Sequence, residues 1–301
     1  MNYLFHIIIL ICIFSILSLT MNLVLGVTGL LNLGHIAFFG IGAYTSALLS
    51  LQGIPFLPSL LAGSVLAGVI AYLIGLPTLR LKGDYLAIAT LGLSETFRSV
   101  LTNWVGLARG PQGLPGIPKP SIFSIEFSSL KAYLVLVLIF FFVTFIIMEI
   151  LLRSPYGRVL EGIREDEVAS QAMGKDTFRF KLNVLWFGSF FAGLAGSLYA
   201  HYVSFIDPSC ISINQTIVIL LMVILGGVRS NFGAVLGAVI IFCIPEVLRF
   251  WNLPGQVTGA LKQIIFSVTL ILLMLFREEG ILGGRKSKIK RFEETDDVIN
   301  D

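Results

Sequence analysis

Apolar residues gather into nine long runs that are separated by short polar segments. Each run approaches the ~20 residues that an α-helix needs to cross a bilayer. The predicted spans are residues 4–26, 34–52, 57–76, 84–100, 131–152, 180–203, 213–228, 232–250 and 256–276. The first span and the short spans 84–100 and 213–228 are candidates for broken or re-entrant segments. The pattern predicts an all-α polytopic membrane protein with about 8–10 transmembrane helices.

The composition supports a membrane protein. Hydrophobic residues make up 56% of the chain and charged residues 13%, with a mean hydropathy of +0.90. A soluble domain carries about 25% charged residues, and no soluble core could hide this much apolar surface. We therefore expect one transmembrane domain over residues 1–280, a short tail over residues 281–301 and no soluble domain.

Basic residues are concentrated in two places, residues 153–181 and the segment that begins at Arg277. Positive charge favours the cytoplasmic side of a membrane protein, so both regions and the C-terminus are expected there. Nine spans then place the N-terminus and the loop 101–130 outside. That loop contains "GLARGPQGLPGIPKP", whose Gly and Pro residues predict a loop rather than a helix. Acidic residues follow the basic ones in the tail, which argues against nucleic-acid binding.

Small residues recur at every fourth position in two spans. The ladders are Ser59, Gly63, Ala67, Ala71 and Gly75, and then Gly188, Ala192, Gly196 and Ala200. A spacing of four places each ladder on one helix face, where small side chains let another helix approach closely. Gly233 and Gly237 show the same spacing of four. These positions predict a tightly packed bundle.

The sequence offers no catalytic, cofactor or metal site. His6, His35 and His201 have no Asp, Glu or Cys at ligand spacing, and the H-E-x-x-H and G-x-S-x-G motifs are absent from the sequence. The nearest approach to a phosphate-binding loop, "GILGGRKS" at residues 280–287, has Arg285 where the motif requires Gly. If the protein uses ATP, another chain must bind it.

The most informative polar segment, "RSPYGRVLEGIREDEVASQAMGKDTFRFKL", runs from Arg153 to Leu182. Pro155 and Gly157 end the preceding helix, and a short amphipathic stretch follows until Gly174. Its apolar contacts are assigned to Val159, Ile163, Ala169, Ala172 and Met173. A short charged helix held between two spans suits docking into a groove on a cytoplasmic partner. The alternative is a solvated loop that only carries topology charges.

Several stretches resemble one family in that family's order. They are "NLVLGVTGLLNLGHIAFFGIGAYTSALL", "LPTLRLKGDYLAIATLGLSETFR", "GPQGLPGIPKP", "GRVLEGIREDEVASQAMG" and "LLMVILGGVRSNFGAVLGA". The chain resembles the permease subunits of bacterial ABC importers of the branched-chain amino-acid class, most closely the M-type subunit. The resemblance covers about residues 20–280. It implies a type II importer-like helical permease in the bacterial cytoplasmic membrane.

The resemblance makes the segment from Arg158 to Gly174 the coupling loop, the element that rests on the ATPase subunit. The residues assigned to it are Arg158, Arg164, Glu165, Asp166, Glu167 and Gly174. ABC permeases generally carry Glu-Ala-Ala followed by Gly at a fixed spacing. Here the register reads "VASQAMG", with Val168 in the place of the Glu, so the acid that meets the ATPase stays open.

Partners and cofactors are likewise implied by the resemblance and not by spacing or periodicity. They are a second permease subunit that is similar to this chain and completes a heterodimer, two cytoplasmic ATPase subunits and a periplasmic substrate-binding protein. ATP and Mg²⁺ would be bound by the ATPase subunits, and this chain is expected to bind no cofactor and no nucleic acid.

A path for a small solute needs neutral to mildly polar walls. The candidate lining residues are Asn22, Asn32, His35, Tyr44, Thr45, Glu95, Asn214 and Gln215. Glu95 is the first choice because burying an ionisable group is costly, although Arg98 at i+3 could simply pair with it. Asn32 and His35 could instead tie down a broken helix.

Three functions remain open. The first is an importer permease for branched-chain amino acids, powered by separate ATPases. The second keeps this architecture and imports urea or short amides, because cargo choice resides largely in the binding protein. The third is a membrane scaffold or enzyme without cargo, which the absence of catalytic groups and the coupling-loop resemblance disfavour.

Overall fold

The computed structural model describes residues 2–81, 83–122, 125–127, 129–249 and 280–283, with residues 261, 264, 267, 268 and 271 as single positions. The predicted ninth span, residues 256–276, lies almost wholly outside these residues, and so does the tail beyond residue 283. The elements that follow all belong to the described part.

Eleven α-helices occupy the described chain: α1 (Asn2–Met21), α2 (His35–Leu51), α3 (Phe56–Thr78), α4 (Asp84–Asn103), α5 (Val105–Ala108), α6 (Leu130–Arg153), α7 (Pro155–Glu165), α8 (Glu167–Ala172), α9 (Thr177–Val203), α10 (Ile213–Gly226) and α11 (Asn231–Arg249). A π-helix (Asn22–Val27) continues α1, and 3₁₀ turns form at Gly110–Gln112 and Pro208–Cys210. The strands are β1 (Leu114–Pro115), β2 (Ser121–Ile122), β3 (Ile125–Glu126) and β4 (Phe205–Ile206).

The first eight predicted spans coincide with α1, α2, α3, α4, α6, α9, α10 and α11. Among the residues described, five segments are long and apolar enough to cross a membrane: Tyr3–Val27, Phe56–Thr78, Leu130–Arg153, Thr177–Val203 and Pro208–Gly226. The helices His35–Leu51 and Asn231–Glu246 are apolar but shorter. The prediction of an all-α polytopic membrane protein is confirmed.

The first predicted span is one helical segment that changes from α-helix to π-helix at Asn22, and irregular backbone follows it. The α-helix ends at Met21, the π-helix runs from Asn22 to Val27, and residues 28–34 connect it irregularly to α2. Gly29 in this connection has a φ of +72°, which glycine adopts without steric penalty. Irregular backbone at membrane depth persists where protein or a water-filled cavity satisfies its polar groups, and the π-helix here packs against α7 and α9.

The centre of the bundle consists of α2, α3 and α9. Ser59, Ala67 and Ala71 of the first predicted ladder are fully buried here. The backbones of α2 and α9 approach so closely that a Cβ atom at Gly42 would overlap the backbone of Gly193. The packing predicted from small-residue spacing is therefore confirmed.

Two further helices pair through glycine. A Cβ atom at Gly226 in α10 would overlap the backbone of Gly233 in α11, and one at Gly237 would overlap that of Met222. α6 packs on α1 and leaves most of its apolar surface uncovered, since only 22% of its most apolar stretch of 18 residues is buried. That surface suits contact with lipid.

The loop 101–130 contains more ordered structure than its Gly and Pro residues indicate. The expectation of a loop without helix is wrong for residues 101–108, because α4 continues to Asn103 and α5 follows. Further along, β1 pairs antiparallel with β4, with Leu114 opposite Ile206. Leu114 and Ile117 are both 2% exposed, so this loop is fixed against the end of α9.

The helix α9 links the two ends of the bundle. Its 27 residues span ~40 Å at 1.5 Å per residue. α7 and α8 precede it at one end, and β4 follows it at the other. The coupling loop and the β1–β4 pair therefore lie at opposite ends of the molecule.

Candidate functional site

The predicted coupling loop begins with α7. Ser154 caps this helix by accepting a hydrogen bond from the Gly157 N–H at 3.3 Å, and Pro155 occupies the first turn, where its missing N–H costs nothing. Leu160 and Ile163 are buried, while Arg158 is exposed. α7 is therefore an amphipathic helix held along one side of the bundle.

The segment is interrupted at Asp166, where one continuous amphipathic stretch was predicted. Asp166 is extended (φ −150°, ψ 105°), and its carboxylate accepts a hydrogen bond from the Ala169 N–H at 2.9 Å. This is the geometry of an N-cap, for which Asp is among the preferred residues. A second short helix, α8, starts here in a new direction.

Gly174 ends α8. The Gly174 N–H donates to the Gln171 carbonyl at 2.9 Å, and the Lys175 N–H donates to the Ser170 carbonyl at 3.2 Å. This pair of bonds, with a φ of +78° at Gly174, is a Schellman motif. The prediction that Gly174 breaks the helix is confirmed, and its cause is backbone conformation.

Glu167 fastens α8 to the start of α9. Its Oε1 atom lies 2.7 Å from the Lys181 Nζ and accepts a hydrogen bond from the Thr177 hydroxyl at 3.0 Å. The Gln171 amide donates to the same hydroxyl at 2.9 Å. Both ends of the short helix are thus fixed, which makes α8 a rigid projection.

One exposed face of α8 is apolar. Val168 is 74% exposed and Met173 is 71% exposed, and Ala169 and Ala172 are exposed as well. Ala169, Ala172 and Met173 were predicted to make apolar contacts, but all three are exposed and none belongs to the core of the described chain, because the break at Asp166 turns α8 outward. We call these four residues the α8 patch.

Arg164 connects α7 to the broken first span. Its Nη1 atom donates to the Gly26 carbonyl at the end of the π-helix. A Cβ atom at Gly29 would approach the Arg164 Cγ to 2.9 Å, so a side chain at Gly29 would displace the arginine. Burial, and secondarily nearby Arg229, lower the pKa of the Arg164 guanidinium, which nevertheless stays charged in proteins.

Arg229 connects the turn between α10 and α11 to α7 and to the π-helix. Its guanidinium lies 3.7 Å from the Glu165 carboxylate, and its backbone N–H donates to the Asn22 side chain at 3.0 Å. Asn22 in turn donates to Asn231 at 3.3 Å, and Asn231 donates to Glu149 of α6 at 2.9 Å. We call this set, with Arg164 and Gly26, the junction.

The junction changes the interpretation of Asn22. It was predicted to line the path, but it is fully buried and both ends of its carboxamide bind protein. Sequence reasoning missed Glu149, Arg229 and Asn231. Polar residues that interrupt "LLMVILGGVRSNFGAVLGA" between two apolar spans were the available signal.

Asn32 and His35 are likewise buried within the chain, at 2% and 1% exposure. The Asn32 side chain accepts a hydrogen bond from the Gly34 N–H at 3.0 Å, just before α2. Thr20 donates its single hydrogen to the Leu17 carbonyl at 2.8 Å, so His35 Nε2, which lies 2.8 Å from the Thr20 hydroxyl, is the donor there. These contacts fix the segment between the π-helix and α2, while Asn32 Nδ2 and His35 Nδ1 have no hydrogen-bond partner among the described residues, so a role in lining the path stays a prediction.

The remaining candidates are scattered. Tyr44 is buried, and its hydroxyl has no partner among the described residues; Thr45 beside it is half-buried, and Asn214 is exposed. Glu95 binds Arg98 through two hydrogen bonds of 2.9 and 2.7 Å on a partly exposed face of α4. The i+3 pair foreseen in the sequence is therefore formed.

Gln215 lies in a cavity of about 110 Å³ at the start of α10. The other lining residues are Phe14, Ile36, Phe39, Tyr199, Asp207, Ser209 and Cys210. The sequence did not single out Asp207, although it is the one acid between the predicted spans 180–203 and 213–228. In the part of the chain that is described, no three His, Cys, Asp or Glu side chains gather closely enough to hold a metal ion.

The family described as "Branched-chain amino acid transport system / permease component" matches residues 3–274. The chain belongs to this family. A member of this permease family is a transport subunit rather than an enzyme, and the apolar helices make this one a membrane protein.

Individual permeases of the family support the M-type resemblance. The high-affinity branched-chain amino acid transport system permease protein LivM of Escherichia coli is 35% identical over 303 residues, covering 92% of this chain and 69% of that protein. A probable LivM of Methanocaldococcus jannaschii is 26% identical, covering 89% and 90%. The LivH protein of Salmonella typhimurium is 24% identical, covering 90% and 91%. No solved structure matches the chain.

Proposed function

We propose that this permease forms part of the path by which branched-chain amino acids enter a bacterium through an ATP-driven importer. The cargo is inferred from relatives named as branched-chain amino acid permeases. ATP and Mg²⁺ would bind to two separate cytoplasmic ATPase subunits, and a periplasmic protein would deliver the cargo.

The observation that carries this proposal is the α8 patch on its rigid support. Exposed apolar side chains on a projecting element mark a protein interaction site, and a short helix fits a groove on a partner. Glu167 and Gly174 fix the ends of α8. Arg164 and Arg229 link this coupling loop to the end of the π-helix and to the turn between α10 and α11. A displacement of the loop would therefore be transmitted to the membrane domain.

A second permease subunit similar to this chain is proposed to cover α4. Tyr85 and Ile88 of this helix are 74% and 67% exposed, and the Glu95–Arg98 pair is partly exposed. Charged side chains within membrane helices face a bundle interior or a water-filled cavity rather than lipid. The face of α4 that bears Glu95 would therefore lie at the subunit interface or on the path, as expected for a path-lining residue.

The coupling loop and the C-terminal segment are proposed to face the cytoplasm of a bacterial cytoplasmic membrane. The Ile281 and Leu282 N–H groups donate to the Leu225 and Gly226 carbonyls at 3.0 and 2.9 Å. These carbonyls end α10, next to the turn that carries Arg229. The basic residues of both regions then agree with the positive-inside rule.

Val168→Asp tests this proposal, with Val168→Ala as the matched control. A charge in the α8 patch should prevent co-purification of the ATPase subunits with the tagged permease and reduce labelled leucine uptake at least tenfold. The alanine variant should retain both. Equal co-purification and uptake by the two variants would refute the docking assignment. If the wild-type transporter takes up labelled urea but not leucine, the cargo is urea and not a branched-chain amino acid. If it takes up neither, a scaffold without cargo is favoured.

A further inference from the structure

α4 is attached to the bundle along one face. It contacts α2, α3 and the 3₁₀ turns at Gly110–Gln112 and Pro208–Cys210, while Tyr85 and Ile88 on other sides of the helix are 74% and 67% exposed. The buried residues of α4 recur at helical spacing and share this face; they are Leu86, Ala87, Thr90, Ser94 and Leu101. Contacts on this face therefore set the position of α4 in the bundle.

Thr90 lies in the middle of this face and binds the irregular segment between the π-helix and α2. Its hydroxyl donates to the Leu86 carbonyl of its own helix at 2.9 Å and accepts a hydrogen bond from the Leu33 N–H at 3.1 Å. One hydroxyl can do both because it carries one hydrogen and two lone pairs. Thr90 is 5% exposed, so this bond is shielded from competition by water.

Gly34 brings the two backbones into contact beside this bond. A Cβ atom at Gly34 would lie 2.5 Å from the Thr90 carbonyl oxygen, which is closer than van der Waals contact allows. The Gly34 carbonyl also accepts a hydrogen bond from the Ala37 N–H at 3.0 Å, in the first turn of α2. The irregular segment therefore touches α4 through two consecutive residues, Leu33 by a hydrogen bond and Gly34 by close packing.

The other end of this connection is bound to the coupling loop. Arg164 of α7 donates to the Gly26 carbonyl, seven residues before Leu33. Between these two points, the Leu30 N–H donates to the Val24 carbonyl of the π-helix at 3.1 Å. The connection is short, hydrogen-bonded within itself and held at both ends, so a displacement of Gly26 is transmitted to Leu33.

We infer that Thr90 is a positioning residue that joins α4 to the coupling loop through this connection. Coupling between distant sites is carried by such chains of hydrogen bonds and packed groups. α4 also carries the partly exposed Glu95–Arg98 pair, so a movement of α7 reaches the helix that is proposed to face the second subunit or the path. The inference rests on the proposed function for the source of that movement, ATP hydrolysis by partner subunits.

Thr90→Val tests this inference, because valine has nearly the shape of threonine and lacks the hydroxyl. Thr90→Ser keeps the hydroxyl and should behave as the wild type. Thr96→Val is the matched control on the exposed side of the same helix, where the Thr96 hydroxyl donates within α4 to the Gly92 carbonyl at 2.8 Å.

The complete transporter, with its ATPase subunits, would be compared without nucleotide and after trapping with ATP and vanadate. Hydrogen exchange followed by mass spectrometry would monitor residues 26–33 and 84–103. In the wild type, trapping should change the exchange of both regions. In Thr90→Val, the change in residues 26–33 should persist, whereas the change in residues 84–103 and the leucine carried per ATP hydrolysed should each fall at least fivefold.

The difference between the two nucleotide states separates positioning from a merely structural role. If Thr90 only stabilised α4, its loss would raise the exchange of residues 84–103 equally in both states and leave the difference unchanged, and the inference would fail. Thr90→Ser and Thr96→Val should keep the wild-type difference. A Thr96→Val variant that loses it as Thr90→Val does would also overturn the inference.

Gly34→Ala is the second variant, should Thr90→Val fail to assemble. Its Cβ would press on the Thr90 carbonyl without removing a polar group, and the φ of −85° at Gly34 suits alanine. The nucleotide response of residues 84–103 should again fall at least fivefold. Gly92→Ala, whose Cβ would meet nothing within 4 Å, should keep the full response.

The outcomes distinguish this inference from the proposed function. Normal leucine uptake together with a wild-type response of α4 in Thr90→Val would overturn the inference and leave the function standing. The same holds if α4 of the wild type does not respond to nucleotide while leucine uptake is normal. If α4 responds to nucleotide only when the Thr90 hydroxyl is present, but the transporter takes up no amino acid, the inference is supported and the proposed cargo is refuted.

Discussion

Asn22 illustrates how a polar side chain is retained inside a membrane protein without facing cargo. Its oxygen accepts from the Arg229 N–H and its nitrogen donates to Asn231. A buried polar group that loses its partner costs ~1–3 kcal/mol, so these contacts hold the π-helix and the α10–α11 turn together. Burial alone therefore does not mark a residue of the path.

Gly174 is expected to act through its backbone. A Cβ atom there would meet no other atom within 4 Å, yet a φ of +78° costs an L-residue ~1–2 kcal/mol. Gly174→Val should therefore loosen the end of α8 without a clash. Hydrogen exchange of the Lys175 amide should become about 5- to 30-fold faster, and uptake per ATP hydrolysed should fall.

The matched variant is Gly174→Asn, because asparagine tolerates this conformation better than most residues. It should keep most of the exchange protection and of the uptake. Membrane levels of both variants should equal that of the wild type. If the Gly174→Val variant shows wild-type amide hydrogen exchange and wild-type uptake, Gly174 is not needed to end α8.

At the scale of elements, the coupling loop is two helices in different directions, each with its own attachment. α7 is attached through Leu160, Ile163 and Arg164, and α8 through Glu167. Arg164 is central because it caps the carbonyl end of the π-helix, where positive charge is favoured. Movement of α7 must then move the break in the first span.

Arg164→Ala is predicted to separate ATP hydrolysis from transport. A hydrogen bond to a charged group contributes ~1.5–3 kcal/mol, so its loss should free the π-helix from α7. Amides of residues 26–30 should exchange faster, and fewer amino acids should be carried per ATP. The matched control is Arg179→Ala at the start of α9, where the arginine side chain is 80% exposed. If both variants behave alike, Arg164 does not link the loop to the bundle.

At the scale of the whole molecule, the bundle is held by backbone contacts between small residues. Overpacking a close interface costs ~1–3 kcal/mol. A Cβ atom at Gly196 would overlap the Phe39 carbonyl, whereas one at Gly92 would meet nothing within 4 Å. Gly196→Ala should therefore lower the thermal stability of the purified protein in detergent, while Gly92→Ala should maintain or raise it. Equal melting temperatures would contradict this packing.

The hydrophobic runs were sufficient to predict the eight helices that coincide with the first eight spans, because length and polarity alone decide whether a segment can span a bilayer. The small-residue ladders predicted close packing along α3 and α9 for a similar reason, since a spacing of four depends only on helix geometry. Gly174 was also identified, because few other residues end a helix in this way.

The junction and the cavity could not be predicted in the same way. Arg164 and Gly26 are 138 residues apart in the chain, and no local pattern brings them together. The outward turn of α8 depends on whether Asp166 caps a helix or continues one, and both are compatible with its neighbours in sequence.

The contact between α10 and the C-terminal segment has a consequence for biosynthesis. Leu282, whose N–H binds the Gly226 carbonyl, follows Gly226 by 56 residues. At about 5–20 residues per second, it leaves the ribosome ~3–11 s later. The last carbonyls of α10 therefore lack these hydrogen-bond donors for several seconds after the helix has been synthesised. In nascent chains released before residue 280, they would never receive them.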